Sequence, residues 1–242
     1  MRFILIFLLF PIFSYSQAVK IGEFNKVKVY DGIRVTIIPS ESDSLLIEGK
    51  NKEHVSIKLK NGSLQIRMDI KKMFSGFNTT VALFNSSPIE EIDANQGSFI
   101  SCQDVLFQPS ITLKAQEGAE IEAILDVQKV TTKIISGGII NIKGSAVTQN
   151  HKVSTGGVLE ASTLESEQVV IKVAAGGRAS VKSSELAEAK VSFGGSVVIH
   201  GKPVKLEKRI SVGGRIEQKA VSYTHLRAHE TRHDLVCRLL LE

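Results

Sequence analysis

The sequence contains no tryptophan, only 5 prolines, and two cysteines, Cys102 and Cys237, in 242 residues. With so few cysteines there is no disulfide framework, so stability has to come from backbone pairing and apolar burial. No run of lysines and arginines is interleaved with aromatic residues, and the net charge is only +5. This pattern argues against nucleic acid as a partner. The apolar run Phe3–Phe13 is about half as long as the roughly 20 residues of an integral membrane span, so none is expected.

The first residues have the layout of a secretory signal peptide. Arg2 supplies a positive charge ahead of the apolar run, and Ser14-Tyr15-Ser16 places small residues at the −3 and −1 positions of a cleavage site before Gln17. No cysteine follows the run, which argues against a lipid anchor, and an uncleaved anchor is the alternative. We therefore expect residues 1–16 to be removed and the protein to be exported, to the periplasm, the cell surface or the extracellular space.

From residue 89 onward, a phrase of two small residues followed by alternating apolar and polar positions recurs. Self-similarity at a period near 20 residues is typical of a solenoid. The copies carry β-branched residues in strand alternation and no helical period, which predicts an all-β, right-handed parallel β-helix. Glycine at each corner suits a turn that needs positive φ. Aligned on their second small position, the copies fall 18 to 21 residues apart, at Gly97, Gly118, Gly138, Gly157, Gly177, Gly195 and Gly214.

The region before residue 89 lacks this period and contains two hairpin signals. Asp31-Gly32 and Asn61-Gly62 each lie between alternating apolar runs, as in two-residue hairpin turns. We expect antiparallel strands here that cap the first coil, because an open solenoid end exposes a strand edge. The predicted organisation is a signal peptide (1–16), an N-terminal β region capping the solenoid (17–88), C-terminally truncated β-helix repeats (89–220) and a non-native tail (221–242).

Strand alternation around the corners also predicts the core. The aromatic residues Phe99, Phe107 and Phe193 lie within apolar strand phrases, so we expect them in the core as well, which leaves no aromatic platform for a carbohydrate. The residues expected to face inward from the strands are Ile139, Val158, Val173, Val181, Val191, Val198 and Ile210.

Acidic residues are too scattered for the polysaccharide-cleaving sites that many β-helix proteins carry. Asp93, Asp104 and Asp126 lie in different predicted coils, whereas lyases of this fold group several aspartates around Ca²⁺. Glycoside hydrolysis needs two carboxylates facing each other across a sugar, and we interpret the Glu120 and Glu122 pair as a solvated strand face. We therefore predict no catalytic, cofactor-binding or metal-binding residues.

Smaller motifs have ordinary interpretations. His54, His151 and His200 lack partners at metal-ligand spacing and are expected at surface or strand positions. Asp43-Ser44-Leu45 matches a short bacterial O-glycosylation pattern, which has many chance matches.

A family resemblance rests on three phrases. They are Phe24-x-x-Val27-x-Val29-x-x-Gly32-Ile33-x-Val35, Asn61-Gly62-x-Leu64-x-Ile66 and the later small-Gly-Gly coils. Over residues 20–218 the chain resembles the putative auto-transporter adhesin, head GIN domain family, whose members are exported proteins common in Bacteroidetes. The resemblance implies a β-helix fold and a surface role, and it carries no catalytic residues.

Residues 221–242 differ from everything before them. The glycine period stops, and His229-Glu230-Thr231-Arg232-His233 fits the H-E-x-x-H pattern of zinc peptidases. Reverse translation of 220–231 and 235–241, however, reads in one frame as the two ends of a sequencing-library adapter. We therefore interpret the zinc motif and Cys237 as translated artefact and expect the native C-terminus to be missing.

The sequence thus predicts an exported, non-enzymatic β-helix protein of the cell envelope, engaged in adhesion or another surface interaction with a glycan or a protein. Two alternatives remain, a polysaccharide-active lyase or hydrolase and a purely structural envelope component.

Cleavage after Ser16 is directly testable. Mass spectrometry of the mature protein from its native host should find Gln17, or its cyclised form, at the N-terminus, because small residues flank that bond. Recovery of intact Met1 in the membrane fraction would contradict cleavage.

Overall fold

The computed structural model describes residues 19–219, so the predicted signal peptide and the tail at 221–242 lie outside the described residues. The described part contains three 3₁₀-helices, Lys52–His54, Ile70–Lys72 and Gly76–Asn78, and no helix in it is long and apolar enough to cross a membrane. Its strands are β1 (Val19–Lys20), β2 (Lys26–Val29), β3 (Arg34–Pro39), β4 (Ser44–Gly49), β5 (Val55–Lys60), β6 (Ser63–Met68), β7 (Thr79–Asn85), β8 (Glu91–Ala94), β9 (Phe99–Ala115), β10 (Glu120–Ile134), β11 (Ile139–Val153), β12 (Val158–Ala161), β13 (Leu164–Val173), β14 (Arg178–Lys182), β15 (Leu186–Ser192), β16 (Ser196–His200), β17 (Lys205–Ser211) and β18 (Arg215–Lys219).

The strands stack coil upon coil into two parallel ladders. Ladder A contains the strands that follow each corner: β18, β16, β14, β12, the first parts of β11, β10 and β9, then β3 and β7. Ladder B contains the strands that precede each corner: β17, β15, β13, the second parts of β11, β10 and β9, then β8, β2 and β6. This pairing confirms the predicted all-β parallel β-helix, which has about seven turns and an antiparallel N-terminal region.

Each coil passes from ladder B to ladder A through a tight corner of two residues with positive φ. At Ser136-Gly137, for example, φ is 51° and 75°. The N–H of Gly137 donates to the carbonyl of Thr155 in the next coil at 3.0 Å, so the corners themselves are hydrogen-bonded into a stack. The same pair of positive φ values occurs at Asp31-Gly32, Gln96-Gly97, Glu117-Gly118, Thr155-Gly156, Ala175-Gly176, Phe193-Gly194 and Val212-Gly213.

The two glycines of a Gly-Gly pair do different jobs. Gly137 has positive φ, but a Cβ there would meet nothing within 4 Å; a Cβ on Gly138 would lie 2.3 Å from the carbonyl oxygen of Ala115. The first glycine is therefore favoured because it adopts positive φ without strain. The second is required because any side chain there would collide with the backbone of the preceding coil. This corrects the repeat alignment, because Gly97 and Gly118 have positive φ and correspond to Gly137, not to Gly138.

One of the two expected N-terminal hairpins forms and the other does not. β5 and β6 pair antiparallel across Asn61-Gly62, as predicted. Asp31-Gly32 is instead a solenoid corner, because β2 lies in parallel between β6 and β8 while β3 lies in parallel between β7 and β9. The hairpin expectation was wrong there because a type I′ turn and a solenoid corner use the same pair of positive φ values.

The antiparallel strands lie at the N-terminal end of both ladders. β4 pairs antiparallel with β7, and β1 with β4, at the end of ladder A. β5 pairs antiparallel with β6 at the end of ladder B. These strands satisfy backbone groups that would otherwise form an open parallel edge.

Of the seven predicted core residues, Val173, Val181 and Val191 are buried to at least 99%. Ile139, Val158 and Val198 are only half-buried and face outward. Their predicted phase was wrong because the residue that follows the positive-φ pair, such as Gly138, is itself the inward one, so the next residue and every second residue after it point outward. Ile210 faces inward opposite Val191, yet it is 53% exposed because no described strand stacks on β17.

A matched pair of substitutions tests this phase. Val173→Asp would bury an unpaired charge at a cost of several kcal/mol, lowering Tm by about 10 °C or more. Val198→Asp introduces the same charge on the outer surface and should change Tm far less. Thermal unfolding followed by circular dichroism measures both, and equal losses would contradict the assigned faces.

Candidate interaction surface

The three aspartates of the repeat region do not form a site. Asp93 is largely buried, where its carboxylate accepts hydrogen bonds from the side-chain amides of Asn95 and Gln116. Asp104 is exposed, and Asp126 accepts a hydrogen bond from the Ser145 hydroxyl at 2.9 Å. Within residues 19–219, no three His, Cys, Asp or Glu side chains lie close enough together to hold a metal ion.

Glutamates approach one another more closely on the outer face of ladder A. Glu120 accepts a hydrogen bond from the Asn141 amide at 2.9 Å, and Glu122 is exposed. Asn141 separates Glu122 from Glu160 along the ladder, so these two glutamates are two coils, or roughly 9.6 Å, apart. They line an open depression of about 250 Å³ with Lys143. Partial burial raises the pKa of Glu160.

The prediction that Phe99, Phe107 and Phe193 belong to the core is wrong. Phe107 is 81% exposed because it lies on the outward phase of β9, and Phe193 is 66% exposed because it occupies the first, outward position of a corner. Phe99 is half-buried under the Arg34 guanidinium, which lies 4.4 Å from the ring centroid. The two exposed rings belong to different coils and form no common platform.

His151 is the centre of a buried polar network inside the solenoid. It occupies a strand, as expected, but it is not at the surface, because its side chain is only 1% exposed. Its Nδ1 lies 2.9 Å from the Thr132 hydroxyl and its Nε2 lies 2.7 Å from Gln149 Oε1. The Gln149 amide in turn donates to the Ser166 hydroxyl. Burial lowers the pKa of His151 to about 3, so the ring is neutral, and the closed network has a structural role.

The other single residues offer little chemistry. His54 Nδ1 lies 2.9 Å from an Asp69 carboxylate, and His200 Nε2 lies 2.9 Å from the Ser180 hydroxyl. Burial raises the pKa of the Cys102 thiol to about 12, which leaves it protonated and unreactive. The Asp43-Ser44-Leu45 motif lies at the start of β4, where Asp43 accepts a hydrogen bond from the Ser86 N–H at 2.7 Å. Its glycosylation stays a prediction.

A straight row of cations runs along the outer face of ladder B, and we call it the basic column. Each member is the register partner of the next, one coil away. All of them are exposed except the first, whose ammonium group lies 2.7 Å from the Glu91 carboxylate. The members are Lys114, Lys133, Lys152, Lys172, Lys190 and Arg209.

Sequence reasoning missed the basic column because it treated the positive charges as spread along the chain. The signal was present. In each copy the cation stands four residues before the first corner glycine, as in Lys133 and Gly137 or Lys172 and Gly176. Once the copies are aligned on the glycine with positive φ, the six cations fall at one repeat position.

These features define a class: a parallel β-helix with open, repetitive outer faces, whose described depressions are shallow and open to solvent. The chain belongs to the putative auto-transporter adhesin, head GIN domain family, which matches residues 23–203. This agrees with the resemblance noted in the sequence.

Three solved structures with similar folds come from Bacteroidetes. A putative adhesin from Bacteroides fragilis is 18% identical with a TM-score of 0.77, and one from Parabacteroides distasonis is 19% identical with a TM-score of 0.67. A putative lipid binding protein from Parabacteroides distasonis is 14% identical with a TM-score of 0.65. Each alignment covers 84% of this chain and 95% of the other. No curated protein matches the chain.

The His151 network has a pH signature. The histidine pKa is near 6.5 in the unfolded chain and about 3 in the folded one, so unfolding takes up a proton between these values. Stability therefore falls as pH falls from about 6.5 towards 3. His151→Leu should lower stability at pH 7 by about 1–3 kcal/mol through lost hydrogen bonds, yet flatten this pH dependence.

Thr132→Val is the control, because it removes one hydrogen bond of the network and keeps the imidazole. The free energy of unfolding, measured by urea unfolding at pH 4 to 7, should depend on pH in this variant as it does in the wild type. If the free energy of unfolding of His151→Leu also keeps the wild-type dependence on pH, the assignment is contradicted.

Proposed function

We propose that this chain is an exported, non-catalytic β-helix protein of the cell envelope that mediates adhesion or another surface interaction. Family membership and the signal-peptide layout of residues 1–16 support a surface role. The site of action is the periplasm, the cell surface or the extracellular space. The partner is a glycan or a protein.

The observation that carries this proposal is the in-register stacking of the outer faces. Outward residues of successive coils stand directly above one another, as do Lys133, Lys152 and Lys172. A surface that repeats one contact at each coil suits a long or repetitive partner, because many weak contacts add up through effective concentration.

The interior favours surface contact over enclosure of a ligand. One of the similar structures is a putative lipid binding protein, but here the space between the ladders is filled by buried aliphatic side chains such as Val29, Ile134 and Leu159. An acyl chain inside the solenoid would have to displace this core. We therefore place the partner on the outside.

A polysaccharide-active enzyme is the second candidate, and Glu122 and Glu160 are the specific observation for it. Their separation of roughly 9.6 Å, from the coil spacing, is close to the upper limit for carboxyl groups of inverting glycosidases. The raised pKa of Glu160 is in the direction a general acid needs. The open depression and the lack of a stacking aromatic beside the two glutamates weigh against it.

One screen separates the candidates. The mature protein is applied to immobilised polysaccharides and host matrix proteins, and released reducing ends are measured in parallel. We expect saturable binding without release of sugar ends. Sugar release that disappears in Glu160→Gln would establish the enzyme instead, and the absence of both binding and release would favour the structural envelope component.

A further inference from the structure

We propose that the basic column binds a linear anionic polysaccharide, one that carries a carboxylate or sulfate group at regular intervals, laid along the solenoid axis. This inference rests on the proposed surface-interaction function and specifies its partner.

The positive charges in the central part of the column are not neutralised by any described ion pair. Like charges directly opposite each other across a β ladder are destabilising. No described ion pair within 4.0 Å involves Lys133, Lys152 or Lys172. The column is therefore a cost to the fold that an external anion would relieve.

Elsewhere the same fold neutralises charges between neighbouring coils. Lys114 at the start of the column pairs with Glu91 at 2.7 Å, and Lys182 in ladder A pairs with Glu165 at 2.5 Å. Glu188 and Glu207 stand beside the last two members of the column, Lys190 and Arg209, and these four residues line one depression together with Lys172. No such acid stands beside Lys133 or Lys152, which distinguishes these two lysines from the ends of the column.

The spacing favours an extended glycan chain. Successive members lie about 4.8 Å apart, so the six cations span about 24 Å in a straight line. The spacing between coils is comparable to the length of one sugar ring in an extended chain. Anionic groups on successive or alternate sugars can therefore each lie beside a lysine of the column. Lysine suits this role because it is a mobile point charge on a flexible stem.

The residues beside the column suit sugar hydroxyls. Two positions before the lysines stand Thr131 and Asn150, and two positions after Lys152 stands Ser154. These side chains offer both donors and acceptors of hydrogen bonds. Polar neighbours of this kind add specificity to an attraction that is otherwise purely ionic.

Other polyanions fit less well. The phosphates of duplex DNA wind around its axis, so a straight single row of lysines meets only a few of them. A membrane surface would be served by cations beside exposed apolar side chains, and the exposed Ile70, Phe74 and Phe77 lie in the β6–β7 connection, outside the column. Both possibilities are outcomes of the test.

The test compares two triple variants of the mature protein with equal loss of charge. The column variant is Lys133→Gln/Lys152→Gln/Lys172→Gln. The control is Lys50→Gln/Lys60→Gln/Lys202→Gln, which alters three exposed lysines outside the column. The probes are polygalacturonate, dextran sulfate, neutral dextran, duplex DNA and phosphatidylglycerol vesicles, with affinities measured by calorimetry or biolayer interferometry at several salt concentrations.

We expect the wild-type chain to bind at least one of the two anionic polysaccharides and not dextran. The column variant should lose at least tenfold in affinity and the control less than twofold. The slope of log K against log salt should fall by about two in the column variant, at roughly 0.7 per lost contact as for single-stranded polyanions. Its Tm should stay unchanged or rise, because repulsion within the column is relieved, which separates lost binding from lost folding.

Equal losses in both variants would overturn the inference in favour of general charge attraction. Column-dependent binding of DNA or vesicles without binding of the anionic polysaccharides would overturn it in favour of those partners. Binding of neutral glycans or matrix proteins that ignores the column would overturn this inference and leave the proposed function standing. No binding to any probe, glycan or matrix protein would overturn both.

Discussion

The fold depends on one repeated corner, in which two residues with positive φ turn the chain. The N–H of the second residue donates a hydrogen bond to the corner of the next coil. The N–H of Gly118 donates to Ser136, that of Gly137 to Thr155 and that of Gly156 to Ala175, each at 3.0–3.1 Å. Because each corner is held by the one above it, an insertion within a coil must be accommodated away from the corner. The strands on either side then keep the same register from coil to coil.

That register converts a one-dimensional sequence repeat into columns of side chains. On the inside, the column of Ala115, Ile134, Val153, Val173 and Val191 packs a continuous apolar core. On the outside, the same rule places Lys133, Lys152 and Lys172 in a row. A parallel β-helix therefore builds an extended, regular outer surface. It also brings like charges together wherever successive coils carry the same type of charged residue at one repeat position.

The polar network around His151 is the exception inside the core. Thr132, His151, Gln149 and Ser166 hydrogen-bond to one another across neighbouring coils, so they replace apolar packing without leaving the histidine unsatisfied. A neutral, fully bonded imidazole is compatible with burial, whereas a charged one is not. The interior thus tolerates polar residues when neighbouring coils supply their hydrogen-bond partners. These hydrogen bonds fix the register between coils more specifically than apolar contacts alone would.

Local patterns in the sequence determined the period, the strand content and the turn conformation, because φ preferences and alternation act over a few residues. Asp31-Gly32 and Asn61-Gly62 were both recognised as turns, and both adopt the expected positive φ. Only the tertiary structure decided that one closes a hairpin while the other joins two stacked coils, since strand partners are chosen by contacts distant in sequence. The outward positions of Val198, Phe107 and Phe193 and the alignment of the basic column were decided in the same way. They depend on which coil lies above and below, and on the residue after each corner pair facing inward, which no local pattern specifies.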